Sequence, residues 1–194
     1  GTISSATYNT ALGIGALDAI TQGDYNVAVG YNAGTALTTG SHNVLLGGKA
    51  GDSITTGDQN IAIGYEALQY EDTDGRNIAI GHQALNSLRA GADGYNIAIG
   101  YDAGVAMSTG VRNTLVGATA GDALTTGSYN VAVGYDALST EDGDGRNVAV
   151  GYQALLTQNA GADAYNVAVG FYAGTAISTG TLNTIIGGEA GQAL

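Results

Sequence analysis

The chain has no cysteine, no proline and no tryptophan, one methionine, one phenylalanine, and only five lysine or arginine residues. Without cysteine it forms no disulfide and no thiolate metal site. Its 33 glycines among 194 residues lack both the proline and the period of three that a collagen helix requires. Five cations against 17 carboxylates give a formal net charge of −12, so nucleic acid and anionic membranes repel it, and neither is an expected partner. No apolar run reaches the roughly 18 residues a membrane span needs, and no segment reads as a secretory signal or transit peptide. The leading Gly1 and the stop at Leu194 in mid-motif suggest a piece of a longer protein. Charged residues are scarce at 11% and hydrophobic ones reach 44%, which argues against disorder.

What fills the chain is repetition, and that has to be read before any local motif. Asn, a short apolar or β-branched run and Gly recur at Asn9, Asn26, Asn43, Asn60, Asn77, Asn96, Asn113, Asn130, Asn147, Asn166 and Asn183. Successive Asn residues are 17 apart, except Asn77 to Asn96 and Asn147 to Asn166, which are 19 apart. Four units make a 70-residue super-repeat, and residues 26–95 match residues 96–165 at 40 of 70 positions. "NVAVG" and "NIAIG" are short, β-branched and closed by Gly, which predicts a strand; a helix of that length would not persist. The rest of each unit, such as "YNAGTALTTG", predicts a Gly corner, a second short extended segment and a turn. An extended unit that cannot bury its own face must stack on its neighbours. The expected fold is therefore all-β: one parallel β-solenoid, or β-roll, over residues 1–194, with about eleven coils of 17 or 19 residues.

The columns predict the packing. Every strand-closing Gly is followed three positions later by Ala, from Ala16 to Ala190. This suits a corner glycine and an inward alanine in a narrow core. The next column is Gly or Leu. Gly34, Gly51, Gly104, Gly121 and Gly174 precede a bulky Leu37, Ile54, Met107, Leu124 or Ile177, whereas Leu68 and Leu138 precede Glu71 and Glu141. Volume per layer is held roughly constant, imperfectly at Leu85, where Leu88 is also apolar. The Asn column predicts a side-chain amide ladder, and Asn also tolerates left-handed backbone. In "NVAVG" both faces are apolar, Val27 and Val29 on one and Ala28 on the other, so the wall is expected to be covered on both sides. The simplest cover is another copy of the chain, in a closed cyclic oligomer.

Candidate chemistry is thin. His42 and His82 fall in columns that elsewhere hold Tyr, Arg or Gln, which fits surface or interface positions better than a base or ligand. No nucleophile triad or phosphate loop recurs, and no carboxylate pair stands out as a glycosidase centre, so no enzyme is expected. "EDTDGRN" and "EDGDGRN" place Asp72, Asp74, Asp142 and Asp144 at alternate positions before Gly, a spacing compatible with Ca²⁺. The competing reading is a solvated Asp-Gly turn with Arg76 or Arg146 paired nearby. No other cofactor is expected. "TTG" and "STG" turns resemble the Thr array of an ice-binding solenoid but are interrupted in every third and fourth coil. Tyr31, Tyr65, Tyr101, Tyr135 and Tyr152 follow the corner Gly, where they can stack on sugars or seal a chain–chain seam.

"NTALG", "NVAVGY", "GYQAL" and "TTGSYN" resemble the repeats that precede intramolecular-chaperone domains, of the endosialidase type, in phage tail fibres and bacterial surface fibres. "VAVG" and "IAIG" are also similar to the "SVAIG" core of trimeric autotransporter adhesin heads, although this chain has Asn for Ser and a longer repeat. The resemblance implies a left-handed β-roll in a trimeric bundle, an extracellular, cell-surface or virion location, and attachment to a surface glycan or receptor. The expected function is a rigid structural or adhesive fibre segment. The alternative is a monomeric solenoid that binds ice or polysaccharide through its turns.

Overall fold

The structure, a computed structural model, describes residues 5–71, 73, 75–91, 93–143 and 145–192. The chain folds as a β-solenoid with one strand per repeat. The strands are β1 (Thr10–Leu12), β2 (Val27–Val29), β3 (Val44–Leu46), β4 (Ile61–Ile63), β5 (Ile78–Ile80), β6 (Ile97–Ile99), β7 (Thr114–Val116), β8 (Val131–Val133), β9 (Val148–Val150), β10 (Val167–Val169) and β11 (Thr184–Ile186). They form one 11-stranded sheet in chain order. All neighbours are parallel and in register with the repeat, so Val27 lies opposite Val44 and Ile78 opposite Ile97. At about 4.8 Å per strand the sheet runs roughly 50 Å along the rod. Among the described residues, no helix is long and apolar enough to cross a membrane.

Each strand is three residues long, shorter than the five-residue motif that marks it. The second segment of each coil, expected to be extended, is a run of turns instead, as at residues 31–36. Bonds such as Leu37 N–H to the Gly34 carbonyl at 3.1 Å close these turns locally, while Gly34 N–H reaches the next coil at Ala50 O, 3.0 Å away. Left-handed backbone also falls elsewhere than expected. The ladder Asn residues do not adopt it; the residue before each of them does, including Tyr25 (φ 59°), Gln59 (φ 60°) and Arg112 (φ 58°). The corner glycines behave as the sequence predicts. Gly100 has φ 145°, and a Cβ on it would lie 2.3 Å from the carbonyl oxygen of Gly117 in the next coil.

The core is a narrow bore. The Ala column is fully buried from Ala33 to Ala173, beside Leu37, Ile54, Leu88, Met107 and Leu124. Glu71 and Glu141 enter that same column and are fully buried, as is Gln158. The strand centres add a packing element that the repeat pattern conceals. Most are Ala, but Leu45 and Leu115 fill the space left beside Gly34 and Gly51, and beside Gly104 and Gly121.

The Asn column does form a ladder. Each Asn Oδ1 accepts the backbone N–H of the next Asn at 2.8–3.1 Å, from Asn9–Asn26 to Asn166–Asn183. Nδ2 groups donate to turn carbonyls, as Asn26 to Gly40 and Asn113 to Gly127, both at 2.9 Å. Side chains thus satisfy backbone groups buried in the wall.

Candidate functional site

A continuous feature of the surface is the outer side of the 11-stranded sheet. From β2 to β10 the central residue is buried and its two neighbours point outward, mostly half-buried, as at Val27 and Val29. Ile99 and Val169 are 38% and 36% exposed. These residues make two mainly aliphatic columns along the rod, the first interrupted by Thr10, Thr114 and Thr184, uncovered by the chain itself. In β-strand terms, both faces carry apolar side chains but only one has a partner.

Two stacked columns border this wall. One is built from the left-handed residue before each ladder Asn. Tyr8, Tyr25 and His42 stack at 4.8 and 5.1 Å. Further along, Arg76, Tyr95, Arg112, Tyr129, Arg146 and Tyr165 alternate, with guanidinium carbons 5.4–5.7 Å from ring centroids. Arg112 Nη1 also donates to the Tyr129 hydroxyl at 2.9 Å. Arg76 pairs with Asp93 and Arg146 with Asp163. Cation–π contacts at exposed sites contribute about 0.5–1 kcal/mol each, which offsets part of the left-handed strain.

The other border follows the corner Gly. Tyr65, His82 and Tyr101 stack at 5.6 and 5.1 Å, and Tyr135, Tyr152 and Phe171 at 5.4 and 5.3 Å. Both histidines therefore sit in exposed ring stacks, as their columns implied. Beyond this border runs a polar column. Lys49 Nζ lies 3.2 Å from Glu66 Oε1, and Gln83 Nε2 donates to Glu66 Oε2 at 2.9 Å. The hydrogen bond from Gln83 is the main reason the Glu66 carboxyl is held below its usual range. Burial pushes the Asp52 and Asp122 carboxyls up.

Of the calcium candidates, Asp72, Asp74 and Asp144 lie outside the described residues. Asp142 is exposed, and its backbone oxygen accepts the N–H and hydroxyl of Thr125 at 2.5 and 2.7 Å. Among the described residues, no three His, Asp or Glu side chains converge as a metal site. Glu71 and Glu141, which open the two acidic motifs, point into the bore rather than toward those turns. The first hydroxyl of several of the turns is engaged as well. Thr21, Thr38 and Ser108 donate to carbonyls of the next coil at 2.9–3.1 Å, so this column is not a free hydroxyl array.

The sequence marked the apolar wall and the tyrosines after the corner Gly. It did not mark the Arg–Tyr alternation, which only the coil register makes contiguous. Comparison with protein-family models, curated proteins and solved structures finds no match to this chain.

Proposed function

We propose that the chain is a rigid segment of a multi-chain fibre, a structural or adhesive rod outside the cell or on a virion, in which copies cover one another's strand walls. The observation that carries this reading is the pair of aliphatic columns along the outer side of β2 to β10, Val, Ile or Leu at every outward strand position except Thr114, with no cover from the chain itself. Four outward columns about 20 Å wide over roughly 50 Å give about 1,000 Å² per chain, above the roughly 800 Å² per partner of a stable interface. The occupant is a second copy, because a wall with the period of this repeat is matched in length and register by the same repeat. Three copies are favoured by the resemblance to trimeric fibre repeats. The sheet resists bending because every coil bonds to the next through both strand and Asn ladder. The test is sedimentation equilibrium: a mass near three times 19.2 kDa supports the proposal. A single-chain mass with full β circular dichroism overturns it.

A further inference from the structure

The ring column after the corner Gly is interrupted between Tyr31 and Phe171 at two coils, by Gly48 and Ala118. The second gap is closely defined. Tyr101 is backed by His82 at 5.1 Å and Tyr135 by Tyr152 at 5.4 Å, which leaves the free face of each ring turned toward the coil of Ala118. Two coils separate the rings by about 9.6 Å, so one six-membered ring is missing from the stack. Exposure agrees: Tyr101 and Tyr135 are 56% and 48% exposed, whereas Tyr152, covered on both faces, is 38%.

The rim of this notch is polar on the side away from the sheet wall. Thr119 Oγ1 donates to Asp136 Oδ1 at 2.5 Å, and Gln153 Nε2 donates to Asp136 Oδ2 at 3.0 Å. Asp122 lies near enough to Asp136 and Asp102 that their charges add to burial in raising its carboxyl. Three carboxylates exclude an anionic guest and offer acceptors to hydroxyl donors. The negative faces of two aromatic rings attract the weakly positive C–H faces of a saturated ring. An uncharged saturated ring bearing many hydroxyls meets all three conditions. At Gly48 the order recurs, with Tyr31 and Tyr65 on either side and Lys49, Glu66 and Gln83 at the rim.

We propose that the notch at Ala118, and its counterpart at Gly48, each bind one pyranose unit of a neutral polysaccharide between two tyrosine rings. Its hydroxyls bond to Thr119 and Asp136, and Gln153 of the following coil holds the Asp136 carboxylate in place. The polar rim lies one residue beyond the ring column and three beyond the last wall residue, Val116, so the sugar enters from the rim side, away from the aliphatic columns. Two notches four coils apart raise the avidity for a long chain.

The test titrates the full chain with cellohexaose, mannohexaose and galactohexaose, following tyrosine ring signals by NMR. The expected result is movement of Tyr101 and Tyr135 with at least one of these sugars. Binding should weaken at least tenfold in a Gly48→Tyr, Ala118→Tyr double variant, which completes the ring column with the residue that column already holds in five coils. Circular dichroism of that variant checks that the coils remain. Failure of all three sugars to move the signals, or equal binding by the double variant, overturns the proposal. Shifts that depend on protein concentration without sugar would assign the notch to a ring of a second copy and overturn it equally. Sedimentation on the same samples keeps the fibre reading separate, because a single-chain mass with sugar binding intact removes that reading alone.

Discussion

A Cβ placed on Gly34 would lie 2.5 Å from Leu45 Cδ1, so the side chain missing from one coil is the space that a leucine of the next coil fills. Gly51 stands in the same relation to Leu45, with a Cβ 2.8 Å from its Cδ2. The packing unit is therefore more than one coil thick. Leu45 and Leu115 are 70 residues apart, so the super-repeat is also a repeat of the core.

Leu45→Ala should destabilise the fold by about 2–5 kcal/mol through loss of buried methyls and the cavity left behind. Gly34→Leu alone should also destabilise, by collision. Together they should cost less than the sum, with a coupling of about 0.5–3 kcal/mol, because the coil with Leu85 and Leu88 already accepts this arrangement between alanine strand centres. Urea melts of the four proteins measure the cycle, and strict additivity would refute the shared space.

The Asn ladder makes a second expectation. Asn96 Oδ1 accepts Asn113 N–H at 2.9 Å, and its Nδ2 donates to Gly110 O at 2.9 Å, all in the buried wall. Asn96→Ala strands both partners at about 1–3 kcal/mol each. Hydrogen exchange should show the Asn113 amide losing protection while Asn147, three coils from Asn96, keeps it. Unchanged protection at Asn113 would show that the ladder is not what holds the coils.

Much of this was legible in the sequence, because a solenoid repeats each physical constraint in every coil. The Asn column, the Gly corner, the Ala column and the two-faced strand all stand out by recurrence. What failed was local conformation: "YNAGTALTTG" has the small residues of an extended edge but folds as turns, since bonds from Leu37 back to Gly34 compete with extension. The register aligned Glu71 with Leu37 and Ile54, but its full burial there was not legible, because the acidic motif it opens otherwise reads as a solvated turn. The Arg–Tyr border was hidden because its members are 17 or 19 residues apart and touch only after winding.

The left-handed column offers a pair of opposite outcomes. Gln59 is exposed and strained at φ 60°, so Gln59→Gly should relieve about 1 kcal/mol. Tyr129 is equally left-handed at φ 63°, but it lies between Arg112 and Arg146. Tyr129→Gly should therefore gain nothing or lose stability. Thermal melts that move the same way in both variants would show that the stacked contacts do not offset the strain.

Asp122 supplies a pH test. Burial first, and then the charge of Asp136, hold its carboxyl above the ordinary 3.8. A carboxyl with a raised folded pKa binds its proton more tightly in the fold. The stability this brings is complete below about 3.8 and is lost as pH rises through the folded value. Asp122→Asn should therefore raise the melting temperature at pH 7 and give no gain at pH 3; Asn86 shows that the column accepts the amide. A gain that grew toward acid pH would reverse the assignment.

The wall decides between a lone rod and a bundle. Ile80 and Val133 point outward, while their neighbours Ala79 and Ala132 are fully buried in the chain's own bore. In a single rod, Ile80→Lys with Val133→Lys changes only surface side chains, with an expected effect within about 0.5 kcal/mol each. In a bundle the same lysines lose their water and face a partner's aliphatic column, a cost of several kcal/mol per buried charge. The double variant should therefore sediment as one 19.2 kDa chain with its β circular dichroism intact, while the parent sediments as a multiple. Thr126→Lys, on the exposed turn side, should leave the parent's mass unchanged. If the wall lysines also left it unchanged, the aliphatic columns would not be where copies meet.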